Sequence, residues 1–155
     1  LDAGWNVVSS KVAPSDSSID QVFANVSGLS AVKDVDGQTY LPQLSINQIG
    51  TWSTTEGYKV HVEETQQTTF TGDPVGRDTP IELKEGWNLL PYYPGDPMDA
   101  ATALAPIADA VKVVRDEDGN EYIPSQGRND IGDLAPGDAY AVYVVTDTTL
   151  VYPNP

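Results

Sequence analysis

Short apolar runs, rather than long amphipathic helices, dominate the hydrophobic pattern of this chain. The runs GWNVV and GWNLL carry apolar residues at adjacent positions, which predicts short strands covered on both faces. The runs GYKVHVEE and AYAVYVVT alternate, which predicts half-buried strands. Tyr58, Val60 and Val62 would then face the core, and His61 would face solvent.

A short helix and a hairpin are predicted between the two runs of each half. The spacing i, i+3, i+4, i+7 predicts one helix with the stripe Ile19, Val22, Phe23 and Val26. The other helix would carry the stripe Ala100, Ala103, Leu104 and Ile107. Ser17-x-x-Asp20 resembles a capping box at the start of the first helix. Asp36-Gly37 and Asp118-Gly119 predict two-residue type I′ hairpin turns.

The chain also repeats itself. Trp87 follows Trp5 by 82 positions, in the same Gly-Trp-Asn setting. The same offset relates further pairs, among them Asp36-Gly37 with Asp118-Gly119, Tyr40 with Tyr122, Pro42 with Pro124, Ile49-Gly50 with Ile131-Gly132, and Tyr58 with Tyr140. A period of this kind indicates a tandem repeat. We therefore predict an α+β, mainly β fold of two strand-helix-hairpin-strand repeats packed with pseudo-twofold symmetry. Repeat 1 covers 1–72, a connector 73–80, repeat 2 81–151, and 152–155 begin a linker.

Residue types that recur at equivalent points are predicted to serve the shared fold. The predicted structural residues are Trp5, Trp87, Asn6, Asn88, Tyr40, Tyr122, Tyr58 and Tyr140. The two tryptophans are expected to be core residues or to clasp a hairpin, since large aromatics dominate the energetics of small domains. The two asparagines are expected to hydrogen-bond neighbouring backbone at the strand start.

Charge and composition exclude several classes of function. A net charge of −15 argues against binding to nucleic acid or to anionic membrane surfaces. The 155 residues include no cysteine, which removes disulfides and thiolate chemistry. No apolar run approaches the roughly 20 residues that span a bilayer, so membrane insertion is not expected.

Catalytic and metal motifs are weak. The chain has a single histidine, His61, which has no second histidine to share a metal and leaves no serine-histidine-aspartate arrangement to build. We therefore expect no enzymatic activity and no cofactor. Asp116 and Asp118 resemble part of a calcium loop, but the loop lacks its first ligand and its closing glutamate. A hairpin turn explains them better, and a weak surface Ca²⁺ site stays as the alternative.

Aromatic residues without an aromatic counterpart in the other repeat are the candidates for recognition. Trp52 aligns with Leu134, Tyr92 and Tyr93 align with Ser10 and Lys11, and Tyr143 aligns with His61. Aromatic faces beside polar groups can hold sugar rings, so Tyr92, Tyr93, Trp52 and Tyr143 are the predicted carbohydrate contacts. Core packing or contact with a neighbouring domain is the alternative for the same four residues.

The motifs GWN-[VL]-[VL], DG-x-x-Y-x-P, IG-x-[WL] and Y-x-V-x-V, each present twice, resemble a repeat of secreted and surface proteins of Bacteroidetes. The terminal YPNP, from Tyr152 to Pro155, is similar to the start of a type IX secretion sorting domain. The resemblance implies an extracellular or outer-membrane location. It also implies a non-catalytic accessory module with a spacer, anchoring or adhesion role beside neighbouring domains. A carbohydrate-binding module, with polysaccharide as its partner, is the alternative.

Overall fold

The structure is a computed structural model that describes residues 1–154, and it is rich in β-strand. Strands hold 38% of the residues and helices 11%, so the fold is α+β and mainly β. Among the described residues the strands are β1 Gly4–Val8, β2 Val12–Ala13, β3 Leu29–Lys33, β4 Thr39–Leu41, β5 Ile46–Asn47, β6 Tyr58–Val62, β7 Asp73–Pro74, β8 Ile81–Leu83, β9 Gly86–Pro91, β10 Met98–Asp99, β11 Val111–Arg115, β12 Glu121–Ile123, β13 Arg128–Asn129, β14 Asp133–Leu134, β15 Ala139–Val144 and β16 Thr148–Leu150. The helices are α1 Ile19–Val22 and α2 Ala100–Ala103, with 3₁₀ turns at Pro42–Leu44, Ala105–Ile107 and Pro124–Gln126.

Two five-stranded antiparallel sheets form the body of the molecule. The first sheet has the order β1-β6-β3-β4-β5, and the second has the order β9-β15-β11-β12-β13. Their registers agree 82 positions apart: Trp5 lies opposite His61 in the first sheet, and Trp87 lies opposite Tyr143 in the second. Both sheets also carry an irregularity at the start of their third strand, between Leu29 and Ala31 and between Val111 and Val113.

Each sheet buries one face in its own hydrophobic core. The first core includes Ile19, Phe23, Val32, Trp52, Tyr58, Val60 and Val62. The second includes Leu104, Val114, Tyr122, Leu134, Tyr140, Val142 and Leu150. Full burial of an aliphatic or aromatic side chain contributes about 1.5–3 kcal/mol to stability. A strand shifted by one residue would lose this contribution from every apolar side chain, so the alternating pattern determines which face turns inward.

A junction of backbone contacts joins the two sheets. Val8, at the end of β1, forms a β-bridge with Asp138, and the Ser9 amide donates to the Gly137 carbonyl at 3.0 Å. The Gly57 amide donates to the Leu89 carbonyl at 2.8 Å. The predicted connector is paired with the first half only, because β7 in it forms a separate two-stranded sheet with β2. The two halves therefore meet through paired backbone as well as through side chains.

The helices are shorter than predicted. α1 contains four residues, and its N-cap is Ser18, which makes no side-chain capping bond, so the predicted capping box of Ser17 and Asp20 is wrong. Phe23 and Val26 are buried nevertheless, since the turns that follow the helix continue its apolar stripe. In α2, by contrast, Asp99 is the N-cap and accepts from the Thr102 amide at 3.0 Å.

The hairpin turns are not of type I′. That turn needs a positive φ at both central residues, and neither Asp36 nor Asp118 has one, although Gly37 and Gly119 do, at 82° and 85°. The Gly37 amide instead donates to the Asp34 carbonyl at 3.3 Å, and Gly119 does the same to Asp116 at 3.3 Å. These loops are three-residue hairpins in which glycine takes the left-handed position after the turn.

Tyr152 belongs to the second core and not to a free linker. Its side chain is 2% exposed, and its hydroxyl donates to the Pro91 carbonyl at 2.7 Å. Its ring contacts Tyr92 edge-on, with centroids 5.2 Å apart. The packed body therefore continues past the predicted boundary at 151, and Pro155 of the predicted linker lies outside the described residues.

Candidate functional site

The two tryptophans of the GWN motifs lie on the surface, which corrects the prediction that they are core residues. Trp5 is 50% exposed and Trp87 is 46% exposed. In β1 the residues that face the core are Asn6 and Val8, so strand alternation turns Trp5 to the open face of the sheet. The matching register of β9 places Trp87 on the open face of the second sheet.

The asparagines explain why the indoles face outward. Asn6 Nδ2 donates to the Asp2 carbonyl at 2.8 Å, and Asn6 Oδ1 accepts from the Asp2 amide at 2.7 Å. Asn88 forms the same pair of bonds with the backbone of Lys84, at 2.8 and 3.0 Å. Each asparagine closes the loop before its strand, and the tryptophan next to it must point the other way.

Trp5 is held between a cation and a histidine. Lys33 Nζ lies over its ring, 5.2 Å from the centroid. The His61 imidazole meets it edge-on, with centroids 5.1 Å apart and planes at 70°. His61 Nδ1 in turn lies 3.2 Å from the Ser30 hydroxyl. A cation over an exposed indole contributes about 0.5–1 kcal/mol, so the pair helps to orient the ring.

Trp87 has the same arrangement with different residue types. The Arg115 guanidinium lies 5.4 Å from its ring centroid, and Tyr143 meets it edge-on at 5.4 Å with planes at 84°. Lys112 Nζ lies 5.3 Å from the Tyr143 centroid. Each indole thus contacts a ring on the adjacent strand, His61 or Tyr143, and a cation on the strand beyond it, Lys33 or Arg115.

Both indoles line a single groove where the open faces of the two sheets adjoin. Its volume is about 660 Å³, and its lining comprises Trp5, Val7, Lys33, Lys59, Trp87, Arg115, Asp116, Glu117 and Ala141. Binding pockets for small ligands run from about 300 to 1,000 Å³, with aromatic walls and a few polar groups. The groove therefore has the size and the lining of a binding site.

Charges of both signs border this groove. Its lining contains the cations Lys33, Lys59 and Arg115 together with the carboxylates Asp116 and Glu117. Arg115 is paired with Glu121 at 2.9 Å, and Glu117 accepts weakly from the Val7 amide at 3.4 Å. A smaller acidic cleft adjoins it and contains Asp138, whose pKa is raised by burial and by the carboxylates of Glu117 and Asp116.

Three of the four predicted carbohydrate contacts are buried, which makes that assignment wrong. Tyr92 is 0% exposed, Tyr93 2% and Trp52 5%. Trp52 stacks on Tyr58, with centroids 4.3 Å apart and planes at 22°, so it fills the first core as Leu134 fills the second. None of these three rings can offer a face to a sugar.

The hydroxyls of these tyrosines serve the fold. Tyr92 donates to the Asp96 carbonyl at 2.8 Å, and Tyr93 donates to the Thr54 carbonyl of the other half at 2.7 Å. Burial raises the pKa of Tyr93 to about 12. Tyr93 is therefore one of the side chains that join the two halves.

Tyr143 alone of the four is not buried, and it lies behind the groove lining, against Trp87. It is half-buried, and it supports Trp87 through the edge contact described above. The repeat-matched tyrosines differ from it. Tyr58 and Tyr140 are buried, Tyr122 is 5% exposed, and Tyr40 packs half-buried against the first core.

The acidic turn at Asp116 and Asp118 is organised as a hairpin. The Asp116 carboxylate accepts from the Asn120 amide and from Asn120 Nδ2, both at 2.8 Å. Within residues 1–154, no group of three or more histidine, cysteine or acidic side chains is placed to hold a metal ion. The carboxylate of Asp116 is thus already occupied by its own loop.

Sequence reasoning missed the roles of Trp5, Trp87, Lys33 and Arg115. The signal lay in the repeat itself, since Lys33 and Arg115 are cations at the same offset of 82 that relates the two tryptophans. When an aromatic residue and a cation two strands away both recur at the same offset, the two side chains are expected to share the solvent-exposed face of the sheet. The recurrence of tryptophan in both repeats, taken alone, predicts core packing, and the exposure of both indoles contradicts that prediction.

The comparisons with known proteins give no relative to draw on. No family model, no curated protein and no solved structure matches the chain. In the part of the chain that the structure describes, no helix is both long enough and apolar enough to cross a membrane.

Proposed function

We propose that this chain is a non-catalytic polysaccharide-binding module whose site is the groove between Trp5 and Trp87. The observation that carries the proposal is the presence of two half-exposed indoles, one from each sheet, on the walls of one groove. Exposed apolar patches rimmed by polar residues mark interaction sites, and tryptophan is enriched among the residues that contribute most to binding energy.

Sugar rings suit such a groove chemically. A pyranose presents apolar C–H faces that stack on an indole, and its hydroxyls take hydrogen bonds from polar groups at the rim. Lys33, Lys59 and Arg115 supply donors beside the rings. The indoles are also pre-oriented by their cation and edge contacts, so binding loses little side-chain entropy.

The same proposal includes a duplicated origin for the fold. Support comes from the equal strand order of the two sheets and from registers that coincide at an offset of 82. Two copies related by a pseudo-twofold axis would present their equivalent open faces side by side. The groove would then be a product of the pairing, since a single copy has only one of its tryptophans.

The cellular setting of the module follows from its sequence resemblance. We place it in a secreted or cell-surface bacterial protein, where it would tether neighbouring domains to polysaccharide. The terminal YPNP motif supports export by type IX secretion. A net charge of −15 suits a soluble extracellular part.

Affinity gel electrophoresis tests the binding proposal. The protein should migrate more slowly in gels that contain one or more of a panel of neutral and acidic soluble polysaccharides. The variant Trp5→Ala/Trp87→Ala should lose most of that retardation, because each stacking contact contributes about 1 kcal/mol or more. Leu44→Ala is the matched control, since Leu44 is 66% exposed and lies away from the groove.

Two results would overturn the proposal. One is normal migration with every polysaccharide in the panel. The other is retardation that the double variant keeps in full. Circular dichroism of the variant shows whether its fold is intact, so a lost fold is not mistaken for a lost site.

A spacer or anchoring role is the second candidate. The feature that favours it is the junction, where Val8, Ser9 and Gly57 join the halves through backbone bonds and make a stiff body. Absence of retardation by any polysaccharide would favour this role over glycan binding.

A further inference from the structure

The groove carries a local charge opposite to that of the whole chain. Its lining holds three cations and two carboxylates, whereas the chain has a net charge of −15. Of the eight lysines and arginines, three line the groove, namely Lys33, Lys59 and Arg115, and a fourth, Lys112, lies over Tyr143, the ring that contacts Trp87. Half of the positive charge is therefore gathered on one face.

Three of these four cations have no acidic partner. Arg115 is paired with Glu121, but Lys33, Lys59 and Lys112 form no ion pair within 4.0 Å among residues 1–154. Away from these four, Lys84 pairs with Asp147 and Arg128 with Glu121 and Asp130, whereas Lys11 and Arg77 form no ion pair within residues 1–154 and stand apart from the aromatic face. In a chain with 23 acidic residues, three unpaired lysines on one aromatic face are left available to an external anion.

We infer that the groove takes an anionic polysaccharide, one whose sugar rings carry carboxylate or sulfate groups. This inference rests on the proposed function and narrows its ligand class. The rings of Trp5 and Trp87 would stack on sugar faces. Lys33 and Lys59, which line the groove without an acidic partner, would meet the anionic groups at the ring edges.

The overall negative charge does not prevent this binding. At physiological ionic strength the Debye length is about 8 Å, so repulsion from carboxylates farther away is largely screened. The groove cations act at contact distance, where screening is weak.

The experiment compares polysaccharides that differ only in charge. Polygalacturonate is set against its methyl ester, and dextran sulfate against dextran, in affinity gels at physiological salt. At least one charged polysaccharide should retard the protein. Its neutral counterpart should bind the protein with an apparent affinity at least about tenfold lower. The two pairs also separate carboxylate from sulfate as the recognised group.

Charge variants locate the effect. Lys33→Gln/Lys59→Gln should weaken binding to the charged polysaccharide by about tenfold, since each contact contributes as an exposed ion pair does. Lys11→Gln/Lys84→Gln removes the same charge outside the groove and should leave binding within about twofold of the parent. This control separates local contacts from a change in net charge.

Failure of this inference can be told apart from failure of the proposed function. If neutral and charged members bind alike, and binding still depends on Trp5 and Trp87, the ligand is a neutral glycan and the inference is overturned. The inference is also overturned if Lys33→Gln/Lys59→Gln binds the charged polysaccharide as well as the control Lys11→Gln/Lys84→Gln does. If no polysaccharide binds, the proposed function itself fails.

Discussion

At the scale of single residues, two buried tyrosines anchor the loops that precede their strands. The Tyr58 hydroxyl accepts from the Ser53 amide at 2.8 Å, and the Tyr140 hydroxyl accepts from the Ala135 amide at 2.8 Å. Tyr58 is 1% exposed and Tyr140 3%, so the rings that position these two acceptor hydroxyls are fixed in the cores. These contacts explain why tyrosine, and not phenylalanine, stands at both positions.

Tyr140→Phe should lower the free energy of unfolding by about 1 kcal/mol, because the partly buried Ala135 amide would lose its acceptor. Urea denaturation followed by circular dichroism measures the change. Tyr143→Phe is the control, since Tyr143 is half-buried and its hydroxyl anchors no backbone group within the described residues. Equal stability of both variants would show that the Tyr140 hydrogen bond contributes nothing.

Residue identity alone could not separate the core aromatics from the exposed ones. Tyr58 was correctly assigned to the inward face, since it alternates with Lys59 over a full strand. Trp5 was assigned wrongly, because GWNVV offers no clear alternation and the inward position is held by a polar residue, Asn6. An asparagine that satisfies backbone groups can be buried at little cost, and this tertiary role is not visible in hydropathy.

At the scale of elements, the junction between the sheets depends on a small residue. A Cβ at Gly57 would lie 2.5 Å from the Ala139 Cβ and 3.2 Å from the Leu89 Cβ. Ala139 is the residue that corresponds to Gly57 at the offset of 82. One glycine and one alanine thus share a space that two alanines would overfill.

Gly57→Ala should therefore destabilise the protein by about 1–3 kcal/mol and weaken ligand binding, since overpacking would push the groove walls apart. The exchange Gly57→Ala/Ala139→Gly should restore most of the stability. Thermal unfolding and the affinity gel measure the two effects. Gly95→Ala is the matched control, because its nearest neighbour is the end of the flexible Lys11 side chain at 3.7 Å. A fully stable Gly57→Ala variant would contradict the tight junction.

Element boundaries were less predictable than element type. Apolar spacing predicts strands, short helices and hairpins, and the structure contains these elements along with short strands that the spacing does not predict, such as β2, β5, β10, β13 and β14. The sequence could not predict the turn type, because Asp-Gly occurs in both two-residue and three-residue hairpin loops. The hydrogen bond between Asp34 and Gln38 shows that the loop has three residues. Helix length did not follow either, since 3₁₀ and other turns can bury the same apolar stripe.

At the scale of the whole molecule, several tyrosine hydroxyls are buried in both cores and at the junction. Burial raises the pKa of Tyr58 and that of Tyr93 to about 12. Burial also raises the pKa of Tyr140 and of Tyr152. Because these residues are spread over both halves and their contact, their ionisation must affect the molecule as a unit.

Stability should fall steeply in alkaline solution. Tyrosine in an unfolded chain ionises near pH 10, so between about pH 10 and 12 the unfolded state has lost protons that the folded state keeps. The folded state binds more protons in that window, and the free energy of unfolding must drop as pH rises through it. Each such tyrosine adds up to about 1.4 kcal/mol per pH unit to the slope. Below about pH 10 the protonated tyrosines make their full contribution to the free energy of unfolding.

The measurement follows tyrosinate absorbance and far-ultraviolet circular dichroism in one alkaline titration. The buried tyrosines should ionise in a cooperative step that coincides with loss of the β signal. Tyr93→Phe keeps the ring in place and removes one titrating group, so the decline of its stability with pH should be shallower than in the parent. Complete tyrosine ionisation near pH 10 with the β signal intact would show instead that these hydroxyls reach solvent in the folded protein, and that the packing at the junction opens readily.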